Sequence, residues 1–69
     1  MRTIWWISTS FGGGSYHYSE AIGRKEFAKC VKHHANNGAT ATILLEEKKG
    51  DAIRIQRSKV TLVNGVVPA

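Results

Sequence analysis

Apolar residues recur along this chain at two periods, and the changes of period divide it. From Gly23 to Gly38 the stretch GRKEFAKCVKHHANNG places its apolar residues at helical spacing. Each helical residue advances about 100° around the axis, so Phe27, Val31 and Ala35 fall on one line, with Ala28 and Cys30 beside it. That line is the signature of one buried face. Lys25, Lys29, Lys32 and Asn36 fall on the opposite side. With Gly23 as N-cap, Glu26 becomes N3, half of a capping box. Ser19 is the rival N-cap; it would leave Gly23 inside the helix at a cost of about 1 kcal/mol. Asn36-Asn37-Gly38 supplies residues that tolerate a left-handed backbone where a helix stops.

The flanks alternate with period two. Arg2 to Thr9 reads as a strand, and Ile4, Trp5, Trp6 and Ile7 make it apolar on both parities. One helix covers one face of a sheet. The second face of this strand therefore needs a cover: the C-terminal segment, another subunit or a ligand. Ser10 to Ser15, SFGGGS, is a hairpin loop by its glycines, and it matches neither phosphate-loop pattern, GxxxxGK[ST] or GxGxxG. Tyr16 to Ile22 sets Tyr16, Tyr18, Glu20 and Ile22 on one parity, as a second strand would; a loop into an earlier helix start is the alternative. Ala39 to Glu47 alternates, Lys48-Lys49-Gly50-Asp51 turns, and Ala52 to Gln56 returns with Ile53 and Ile55 inward. Parity then fails, because Arg57 would point inward and Val60 and Leu62 outward. A bulge or break near Arg57-Ser58 restores it, and Lys59 to Val63 completes the strand. Asn64-Gly65 is a turn, followed by a short tail, Val66 to Ala69. The order is ββαββ, an α+β domain with one helix on a mainly antiparallel sheet; βαββ with an irregular first loop is the alternative.

Composition narrows the class. The 69 residues make one domain over 1–69, with a small core. A single cysteine excludes an intrachain disulfide and fits a reducing cytoplasm. No stretch approaches the roughly 18 apolar residues of a membrane span, and no signal-peptide pattern opens the chain. The net charge of +5 favours an acidic partner: nucleic acid, a nucleotide or an acidic protein surface.

Candidate chemistry is sparse. Cys30 and His34 share a helix face and His17 is a third potential ligand, but a structural zinc site needs four with paired spacings. No metal and no cofactor is expected. A small ribonuclease or toxin would need His17, His33 or His34 with Lys32 around one phosphate, and no pair has the spacing that such a mechanism demands. The chain reads as a non-enzyme.

The anion-binding candidates are Arg24, Lys25, Lys29 and Lys32 on the helix, with Arg54, Arg57 and Lys59 on the last strand. Arg24 and Lys25 would fall in the first helical turn and concentrate positive potential at its N-terminus. Trp5, Trp6, Tyr16 and Tyr18 are aromatic contact candidates, able to stack on bases or to pack across strands. The leading expectation is a homodimer that binds nucleic acid or a nucleotide. In size and style the chain is similar to small accessory proteins of bacteriophages and mobile elements, some of which disable host defence systems. That likeness implies an inhibitor docked on a larger host complex through Trp5, Trp6 and the sheet; no motif carries it, so no functional residue transfers.

Overall fold

A computed structural model describes residues 3–68. Met1, Arg2 and Ala69, which belong to the expected first strand and to the 1–69 domain, lie outside the described residues. The elements are β1 (Thr3–Thr9), β2 (Gly14–His17), α1 (Glu20–Asn36), β3 (Ala41–Lys49) and β4 (Ile53–Leu62). They form the expected α+β arrangement in the order ββαββ. The four strands make one antiparallel sheet, ordered β2-β1-β3-β4.

Alternation decides what each face holds. Trp5 and Ile7 of β1 share a face with Ala41, Ile43, Leu45 and Glu47 of β3, and α1 packs on that face through β1 and β3. Phe27 of α1 joins Trp5, Ile7, Ile43, Leu45 and Leu62 in the core, and Cys30, Val31, Ala35 and Val60 pack against its margin. The expected apolar line of the helix is thus the packed one. Beside this core, burial pushes the Cys30 thiol pKa up.

Around the helix start, two boundaries depart from the sequence reading. β2 ends at His17 instead of running to Ile22, and α1 starts four residues earlier than the Gly23 cap would have it. Ser19 is the N-cap: its backbone is extended and its Oγ accepts from the Ile22 N–H at 3.4 Å. Gly23 consequently lies inside the helix, and its position explains the choice. A Cβ there would sit 2.7 Å from Trp5 Cβ, so glycine is what lets the helix approach the indole. Burying the large Trp5 ring stabilises by about 1.5–3 kcal/mol or more, which outweighs the helix penalty of glycine, about 1 kcal/mol. At the other end the Asn37 and Gly38 N–H groups bond the His33 and Ala35 carbonyls, and Gly38 takes φ +68°, as a helix stop requires.

The bulge stands where parity demanded it. Leu45 pairs with Ser58 and Glu46 with Gln56, so Arg57 is the extra residue on β4. Ile53 and Ile55 precede it and Val60 and Leu62 follow it on the core parity. β3 reaches Lys49, two residues into the expected turn. The C-terminal segment folds back through a Val63–Val66 bridge, and the Gly65 N–H bonds the Ala39 carbonyl near the end of α1. The tail therefore does not cover the second face of the sheet.

Candidate functional site

That second face is open. Cross-strand register places Tyr16, Trp6, Glu46 and Gln56 in one row across it. Ile4, Lys48 and Arg54 form the adjacent row, and Ser8, Leu44 and Lys59 the row on the other side. Neighbours in a row lie within side-chain contact. The Trp6 and Tyr16 rings stack with centroids 5.6 Å apart and planes 11° from parallel. Tyr18 meets Tyr16 edge-on at 6.4 Å. Lys48 Nζ lies 5.5 Å from the centroid of the Trp6 ring. Trp6 thus sits between a phenol ring and an ammonium. Such a cation–π contact contributes only about 0.5–1 kcal/mol at an exposed site. Tyr16 is 55 % and Tyr18 60 % exposed, so this aromatic row reaches solvent.

Charge on the face is mainly positive. Glu46 is its acid, and Arg54 Nε approaches Glu46 Oε2 at 3.8 Å. Lys59 forms an ion pair with none of the described residues. The described residues form no pocket, on this face or elsewhere.

The seven expected anion-binding residues do not form one patch. Lys25, Lys29 and Lys32 are exposed on the outer side of α1, whereas Arg54 and Lys59 are on the open sheet face, on the far side of the molecule. Arg24 is engaged within the fold: its Nε donates to Glu20 Oε2 at 2.9 Å, and its guanidinium lies 5.7 Å from the Trp5 centroid. Arg24 and Lys25 belong to the second turn, because the helix begins at Glu20, an acid that suits the macrodipole. The expected cationic helix N-terminus is therefore corrected by the Ser19 cap. Lys29 reaches Glu26 at 3.5 Å. Arg57 is also committed: its Nε and Nη2 donate to Glu47 Oε1 at 3.0 and 2.7 Å. Glu47 is 8 % exposed on the core face, where an unpaired carboxylate would cost several kcal/mol (about 3–5 when fully buried). The bulge delivers the guanidinium that holds it.

Among the aromatics, Trp5 needs the same correction. It is 6 % exposed beneath α1, so it belongs to the core, whereas the other three candidates, Trp6, Tyr16 and Tyr18, lie on or beside the open face. The histidines separate. His17 pairs with Trp5 across β1 and β2, two residues before the N-cap; His33 and His34 stand in the last turn. Fourteen helical rises from Ser19 to His33 span about 21 Å, so one phosphate cannot meet both ends. His34 packs against Phe11 at 5.7 Å, and Asn37 Nδ2 and His33 Nε2 lie 3.2 Å apart. No three His, Cys, Asp or Glu side chains gather among the described residues.

Lys48 is the site residue that sequence reasoning missed, because it was assigned to the turn. The signal was its parity: Thr42, Leu44, Glu46 and Lys48 continue one alternation. No family model, no curated protein and no solved structure matches this chain.

Proposed function

We propose that this chain is a non-enzymatic binding protein whose open sheet face takes up nucleic acid. The observation that carries the proposal is Lys48 over a stacked Trp6–Tyr16 pair, with Arg54 and Lys59 on β4 of the same uncovered face. Cations neutralise phosphates and release the counterions condensed on a polyanion, a gain that needs no sequence recognition. A surface of three cations without a pocket suits a polymer better than a single nucleotide, which sites of the usual kind enclose in a concavity. The same charge weighs on the expected homodimer. A two-fold axis through this face would set cations against their own copies, whereas a polyanion matches them; sedimentation of the ligand-free protein as a dimer would favour the second copy as the cover.

Binding of an unstructured oligonucleotide should weaken steeply with salt. Three phosphate contacts give a slope of about −2 in log K against log salt, or roughly a 20-fold loss between about 50 and 200 mM. The double variant Arg54→Glu/Lys59→Glu should abolish most of the binding. Absence of binding at low salt, or binding indifferent to salt, removes the proposal. An inhibitor docked on a host protein complex is the second reading, and the exposed apolar Phe11, Val63, Val66 and Val67 favour it. A defined complex captured from lysate that survives nuclease treatment would select that reading instead.

A further inference from the structure

Resting on the nucleic-acid reading, we infer that the open face selects single strands, because it presents a stacking surface that only unpaired bases can use. Two independent features meet there. The first is the aromatic row. Tyr16 and Trp6 are directly opposed across β1 and β2 with their ring planes nearly parallel, and Tyr18 is edge-on at the sheet margin. Four-stranded sheets with one bare face are suited to splaying bases over exposed rings, and stacking accepts any base because every base has a π-face. A duplex keeps its bases stacked on one another and offers this row only phosphates.

The second feature is Lys48. Its ammonium lies over the Trp6 ring and pairs with no carboxylate among the described residues. It marks the indole face as electron-rich and reachable by a ligand. The lysine stem is long and flexible, so a base arriving on Trp6 displaces the ammonium. The freed charge then meets the phosphate of the same nucleotide. Arg54, the register neighbour of Lys48, and Lys59, in the row beyond Glu46, continue the cationic track along β4. Ligand entry thus exchanges a cation–π contact for a base stack and a charge-assisted phosphate contact at once. Glu46 sits between Trp6 and Gln56 and opposes a phosphate laid directly over it, which turns the backbone toward the β4 side.

The test compares three probes at equal salt: an oligothymidylate of about 16 nucleotides, a duplex of the same length and inorganic polyphosphate of matched charge. The oligothymidylate is expected to bind at least about 10-fold tighter than either of the others and to quench tryptophan emission. The quench should vanish in Trp6→Phe that retains native circular dichroism only if Trp6 is the reporter; Trp5, beneath the helix, would be silent. Tyr16→Ala, at an exposed position on an edge strand, should weaken the oligothymidylate about 10-fold and leave duplex and polyphosphate binding unchanged. Equal affinity for all three probes overturns single-strand selection while leaving a charge-driven polyanion binder in place. Tighter duplex binding overturns it as well. If no probe binds, the nucleic-acid reading itself falls. An unquenched emission with tight single-strand binding places the strand elsewhere and overturns the Trp6 platform.

Discussion

Two residues in this fold are fixed by what touches them. Gly23 is set by the indole of Trp5, against which any Cβ would collide. Gly23→Ala gains about 1 kcal/mol of helix propensity but overpacks the contact by about 1–3 kcal/mol. Thermal melting should show a net loss, with Tm lower by roughly 4–8 °C for each kcal/mol lost. A raised Tm would show that the helix can shift without cost. Arg57 is set by Glu47, whose Oε1 accepts from its Nε and Nη2. Arg57→Ala should destabilise by about 1–3 kcal/mol, less than for a fully buried pair because the Arg57 side chain is 41 % exposed and Lys49 remains 3.9 Å from Glu47 Oε2. A double-mutant cycle with Glu47→Gln should return a coupling of at least about 0.5 kcal/mol; additive losses would mean the pair is incidental. Cys30 offers a third check. Because burial raises its pKa, less thiolate exists at a given pH, and alkylation of the native protein at mildly alkaline pH should be slower than that of the unfolded chain.

At the scale of elements, the strands were more legible than the helix start. Alternation identifies the inner faces of β3 and β4, and the lapse in parity at Arg57 locates the bulge. What alternation cannot contain is the reason for the bulge, since the Glu47 partner is fixed only by three-dimensional pairing. The start of α1 is not legible in the sequence, because propensity alone argues against an internal glycine. The deciding contact joins Gly23 to Trp5 of β1, eighteen positions earlier in the chain, and no local pattern encodes it. The same shift moved Arg24 and Lys25 from the first turn to the second. Lys48 was overlooked for the opposite reason: a local turn signal at Gly50 hid two further residues of strand. β4 also guards itself as an edge. Its bulge and its cations Arg54, Arg57 and Lys59 oppose pairing with a second copy of the same strand. Removing two of these charges should raise aggregation on concentration, measurable by light scattering, whereas unchanged scattering would show that the bulge alone suffices.

For the whole molecule, the fold sorts its charge into two surfaces. Lys25, Lys29 and Lys32 face outward from α1, while Lys48, Arg54 and Lys59 share the open sheet face with the aromatics. Sequence charge cannot separate these surfaces, because both contribute equally to the net +5. Only the second combines cations with accessible rings, and for that reason it is assigned the ligand. Lys25→Glu/Lys29→Glu/Lys32→Glu should leave oligonucleotide affinity largely intact at moderate salt, because screening beyond about 10 Å removes the helix from the balance. The assignment of the ligand to the open sheet face is tested most directly by mapping backbone amide NMR shifts during an oligothymidylate titration. The changes should concentrate at Ile4, Trp6, Tyr16, Leu44, Lys48, Arg54 and Lys59. Changes centred on Lys25, Lys29 and Lys32, with the sheet face silent, would contradict it.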